Sequence, residues 1–108
     1  MLTRLVKMHF HPEETANFIM LFEQVKDRIR AFEGCEEVKL IQDIDTPGIF
    51  FTLSKWQSEQ DLENYRKSEL FADTWAKTKR MFATKAMAWS TEEVVSGQSS
   101  VVSRQEIQ

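Results

Sequence analysis

The chain has 108 residues, with 14 Lys and Arg against 17 Asp and Glu, for a formal net charge of −3. That length accommodates one domain, and a 42% hydrophobic fraction with eight Phe and three Trp supplies a core, which excludes a disordered chain. The acidic balance and the lack of any Lys/Arg cluster exclude a surface built for a phosphate backbone, so nucleic acid is not an expected partner.

Leu2 to His11 alternates, placing Arg4, Val6, Met8 and Phe10 on one face of a first strand and Leu5, Lys7, His9 and His11 on the other. Pro12 suits a first helical position, where its missing N–H costs nothing, and Glu13 and Glu14 complement the positive end of the helix dipole. Phe18, Phe22, Val25, Ile29 and Phe32 recur at steps of four and three, which makes one apolar stripe, and Gly34 stops the helix. Val38, Leu40, Ile41 and Ile44 mark a second strand and Ile49–Trp56 a third. Pro47-Gly48 between them predicts a type II hairpin turn.

Ser58 and Ser68 read as two N-caps. Phe71, Trp75, Thr78 and Phe82 continue a helical stripe, which predicts a bent or two-piece helix from Ser58 to Ala83. Ala86 to Val95, with Met87, Trp89 and the β-branched Val94-Val95, supplies a last strand. Residues 1–95 thus form one domain, and Ser96 to Gln108 is a polar tail that reads as a flexible end.

The order βαββαβ predicts an α+β, ferredoxin-like protomer: a four-stranded antiparallel sheet with helices on one face. The strands carry bulky apolar residues on both faces, Phe50 against Phe51 and Leu40 against Ile41, whereas a one-sided sheet alternates apolar with polar. Two sheets packed back to back resolve this, so a homodimer is expected. The single cysteine, Cys35, cannot form an internal disulfide, and no Cys/His quartet is present for structural zinc, which suits a reducing compartment. Without a signal-like apolar start or a run of membrane-spanning length, the reading is cytoplasmic, with no membrane partner.

Candidate chemistry is sparse. His9 and His11 share a strand face, but a catalytic metal needs a third protein ligand, usually another His or a carboxylate, and the chain has two histidines, so no metal is expected. His9 is instead a candidate general base toward a phenolic substrate. Cys35 lacks a surrounding nucleophile signature and reads as filler. Tyr65, Trp56 and Trp75 can stack on an aromatic ligand or serve as core, with Phe22, Phe51 and Phe71 as further candidates to line a pocket. No GxGxxG, GxxxxGK[ST] or HExxH motif supports a nucleotide-dependent or zinc-protease reading.

Phe32-Glu33-Gly34-Cys35, Asp43 through Pro47 to Phe50, Trp56-Gln57-Ser58 with Leu62, and Ser68-Glu69-Leu70-Phe71 together resemble the antibiotic biosynthesis monooxygenase (ABM) family over roughly Met1 to Ser90. The resemblance implies a dimeric α+β barrel with a cavity between helices and sheet. It also implies a cofactor-independent monooxygenase acting on a quinol or polyphenol-like small aromatic molecule, with His9 and Tyr65 as catalytic candidates and Phe22, Phe51, Trp56, Phe71 and Trp75 at the substrate. The alternatives are a non-catalytic dimer that binds a small apolar ligand, and a haem binder or degrader. Haem-degrading relatives carry Asn, Trp and His at positions that fall near Val6, at Tyr65 and at Trp75, and none of the three matches. Quinol-oxidising relatives often carry a His in the region of Asn64 to Leu70, which is absent here. Strand parity also opposes the His9 scheme, because only one of Met8 and His9 can face the helices.

Overall fold

The computed structural model describes residues 1–94, so the tail expected over 96–108 and the end of the last strand at Val95 lie outside the described residues. β1 (Leu2–Phe10) leads through one 3-10 turn at Pro12–Glu14 into α1 (Thr15–Arg30). β2 (Cys35–Gln42) and β3 (Ile49–Trp56) form the hairpin, and α2 (Glu59–Arg66) and α3 (Glu69–Lys79) precede β4 (Phe82–Glu92). All pairings are antiparallel, in the sheet order β2-β3-β1-β4. This is the expected ferredoxin-like βαββαβ arrangement.

The apolar stripe of α1 buries Phe18, Phe22, Val25 and Ile29 against the sheet. At one end, Phe10 stacks on Phe18 with ring centroids 4.2 Å apart, and Phe50 meets both rings edge-on at 5.7 Å. Met8 and Met81 complete that cluster. A second cluster of Leu2, Trp56 and Leu62 is separate from it. There the fully buried Trp56 donates its indole N–H to Ser54 Oγ at 2.9 Å, which removes the penalty of burying an unpaired donor.

Both serine caps form: Ser58 Oγ accepts from Asp61 N at 3.1 Å and Ser68 Oγ from Phe71 N at 3.2 Å, and the second cap breaks the long helix into α2 and α3. Two sequence expectations are corrected. The helical stripe does not reach Ala83: α3 ends at Lys79, and Phe82 opens β4, paired with Phe10 across the sheet. The hairpin turn closes with Ile49 N donating to Thr46 O at 2.9 Å, but Gly48 does not adopt a positive φ, so it is not type II. What Gly48 supplies is close approach, since a Cβ there would sit 3.0 Å from Phe10 O and 3.2 Å from His9 Cδ2.

Gly34 is the glycine that needs its freedom: its φ is +86°, and a Cβ would collide with the Asp61 side chain at the start of α2. Gly34→Ala is therefore expected to lower the unfolding free energy by roughly 2–3 kcal/mol in urea titration with an unchanged m-value, because a non-glycine residue is held in a disfavoured conformation and the contact with Asp61 must open.

Candidate functional site

The pleat decides which side chains face the helices. Pairing aligns Val38, Ser54, Arg4 and Ser90 in one row across the sheet and Leu40, Thr52, Val6 and Ala88 in the next. In the strip between the two core clusters the helix-facing side chains include the small Thr52, Ser54, Ala86 and Ala88. An open cavity of about 270 Å³ lies there, between sheet and helices, lined by members of both clusters.

Its far wall comes from the helices. Trp56 stacks on Tyr65 at 5.1 Å, Tyr65 meets Phe71 edge-on at 5.3 Å, Phe71 stacks on Trp75 at 5.8 Å, and Trp75 abuts Phe82 at 5.6 Å. Four of these, Trp56, Tyr65, Phe71 and Trp75, line the cavity, as does Phe22 of α1. Polar groups at the wall are few. Thr78 Oγ1 is occupied, donating to Thr74 O at 2.7 Å, whereas the buried Thr74 Oγ1 has no hydrogen-bond partner among the described residues. Burial, and after it the neighbouring Cys35, push the Tyr65 hydroxyl up to about 12, so it is a donor at neutral pH and not a base.

Five sequence-predicted residues, Phe22, Trp56, Tyr65, Phe71 and Trp75, are thus brought together, and two are not. His9 pairs with Ile49 on the other face of the sheet, against Gly48, and Phe51 lies on that same face opposite Lys7 and Ile41. Neither lines the cavity, because β1 and β3 expose odd-numbered side chains away from the helices. From that face His9 is not placed to act as a base toward a ligand in this cavity, nor Phe51 to touch one. The sequence reading passed over Arg4, Arg66 and Thr74, which do line it. Cys35 does not, and burial raises its thiol above the ordinary value, which suits filler and not a nucleophile.

The lining does not fit a haem. Among the described residues it contains no imidazole or thiol, and the one phenol, Tyr65, is held protonated. Among the described residues no three His, Cys, Asp or Glu side chains converge as a metal site, and no helix is long and apolar enough to cross a membrane.

Residues 1–77 match the sequence profile of the antibiotic biosynthesis monooxygenase (ABM) family. A crystal structure of an antibiotic biosynthesis monooxygenase superposes with a TM-score of 0.82 at 18% identity, covering 88% of this chain and 100% of the other. A conserved protein from Methanosarcina mazei Go1 gives 0.80 at 20% identity over 86% and 93% of the two chains, and the protein Rv0793 from Mycobacterium tuberculosis gives 0.80 at 14% over 89% and 97%. No curated protein matches the sequence. The fold is that of a ferredoxin-like α+β domain, and with the match over most of its length the chain belongs to the ABM family.

Tyr65 is the chain's one tyrosine, so its ionisation can be followed directly. The unfolded phenol titrates near its ordinary value of 10 and the folded one at about 12, so between these values the unfolded state holds fewer protons and stability falls as pH rises. Absorbance at 295 nm should show no phenolate in the folded protein at pH 10.5. Denaturant unfolding should lose roughly 2–3 kcal/mol more between pH 9 and 12 in the wild type than in Tyr65→Phe.

Proposed function

We propose that the protein is a cofactor-independent monooxygenase of a small quinol or polyphenol-like aromatic molecule, bound in the cavity between sheet and helices. The observation that carries this reading is the cavity itself: an open, aromatic-walled space in an ABM-family chain, with one protonated phenol and one unpartnered threonine hydroxyl at its wall. Trp56, Phe71 and Trp75 supply flat apolar surface for a ring, and Tyr65 Oη donates to a ring oxygen, fixing which carbon meets dioxygen.

The chemistry balances without a further reductant. An anthrone-type ring carbon loses two hydrogens and gains one oxygen atom as a carbonyl, while the second oxygen atom leaves with those hydrogens as water. The four electrons that reduce O₂ come from the substrate. A second reading, a non-catalytic binder of a small apolar ligand, is favoured by one observation: among the described residues the lining contains no carboxylate or imidazole to act as base.

The reading includes a homodimer closed by the open face of the sheet, in a reducing, cytoplasmic setting. Leu5, Leu53, Phe51 and Ile41 share that face, with Met87 53% and Trp89 41% exposed on the same face of β4, more apolar surface than an unpartnered sheet presents to water. The wild type is expected to run as a dimer in light scattering, and Phe51→Glu with Trp89→Glu as a monomer; a monomeric wild type contradicts this assembly.

Oxygen uptake with a panel of anthrones and hydroquinones tests the activity. The wild type should consume one O₂ per substrate, and Tyr65→Phe, which keeps the stack and removes the donor, should lose about 10- to 100-fold in kcat without a change in fold. Saturable binding with uptake at background for every substrate supports the non-catalytic reading instead.

A further inference from the structure

We propose that the cavity selects aromatic ligands that carry a negative charge, a carboxylate or an ionised phenol or enol, and that Arg4 and Arg66 form the seat for that charge. This rests on reading the cavity as an aromatic ligand site and adds the ligand's charge to it.

Among the described residues the lining contains two charged side chains, both arginines, and no Asp or Glu. Arg66 lies on α2 and forms an exposed ion pair, its guanidinium 3.5 Å from Glu63 Oε2. Arg4 stands on the helix-facing side of β1 in the row between Ser54 and Ser90. It donates from Nη1 to Ser90 Oγ at 2.9 Å, and among the described residues no carboxylate lies within ion-pairing distance of it. Ser54 Oγ, its other neighbour in the row, is already occupied by the Trp56 indole. A guanidinium has five N–H donors, so most of the capacity of Arg4 is available to a ligand.

The charge arrangement points the same way. Arg4 is half-buried and Arg66 stands exposed near it: the two cations repel each other and Arg4 loses hydration, and an anion between them relieves both costs. The protein bears this strain already: burial and then the Arg66 charge hold the Arg4 guanidinium below its ordinary value, with Glu63 only partly opposing them. Planar, forked guanidinium groups match the two oxygens of a carboxylate or the oxygens of an enolate. The unpartnered Thr74 Oγ1 offers one more donor at the same cavity. An anion seat also explains why the described lining holds no base. A ligand drawn in as its anion leaves its proton with solvent, so the cavity needs no imidazole or carboxylate to remove it.

The test uses 2-naphthoate and its neutral isostere 2-naphthamide, neither of which needs to react, in calorimetric titrations of the full chain at low salt. The wild type should bind the acid about tenfold or more tightly than the amide. Arg4→Met, which keeps the apolar stem, and Arg66→Met, on the exposed side of α2, should each erase most of that preference by weakening the acid far more than the amide. Raising the salt should weaken the acid and not the amide. Equal binding of acid and amide, or a preference that survives both substitutions, overturns the anion seat while leaving the aromatic cavity standing. Failure of both probes to bind overturns the cavity reading and the anion seat with it.

Discussion

Two aromatic pillars hold the helices away from the sheet. At one end Phe10, Phe18 and Phe50 interlock, and at the other the fully buried Trp56 lies under Tyr65 and Leu62. Protein interiors are ordinarily packed to the density of organic crystals, so a gap persists only where neighbouring side chains cannot reach across it. Between the pillars the sheet presents Thr52, Ser54, Ala86 and Ala88, and the helices are kept too far off to close the space. The cavity is a consequence of large residues at its ends and small ones at its floor.

Strand parity then distributes the chemistry. The face that looks into the cavity receives Arg4 and Val6 from β1, while Leu5, Lys7 and His9 go to the other side. One face thereby becomes a small aromatic chamber with a cationic edge. The other becomes an apolar sheet surface with a charged margin, where Glu37 pairs with Lys39 at 3.2 Å and Lys55 at 3.5 Å. A one-residue slip of β1 would exchange the two, taking Arg4 out of the cavity and putting His9 into it.

Much of this plan was legible in the amino-acid order. The stripe Phe18, Phe22, Val25 and Ile29, the caps Ser58 and Ser68 and the 35–56 hairpin are local patterns, and they form as their spacing requires. Phe82 misled because its spacing from Trp75 and Thr78 fits a helix, whereas pairing with Phe10 draws it into β4. The cavity floor was harder to see, since Thr52, Ala88 and Arg4 become neighbours only through the register of β3, β1 and β4. Arg4 reads in isolation as an ordinary polar position on a strand. Its significance comes from having Arg66 nearby and no carboxylate within ion-pairing distance of it among the described residues. The parity that removes His9 from the cavity, by contrast, follows from counting along β1.

The account stands on which face of the sheet receives the ligand, and methyl NMR during titration with 2-naphthamide reads that face most directly. Neighbouring residues on β1 report opposite sides, so the assignment needs no structure of the complex. Saturable shifts at the methyls of Val6, Met8, Val38, Ala86 and Ala88, with Leu5, Ile41, Ile49 and Leu53 unmoved, are the predicted result. Shifts confined to the second set, or no saturable shift in either, would contradict it.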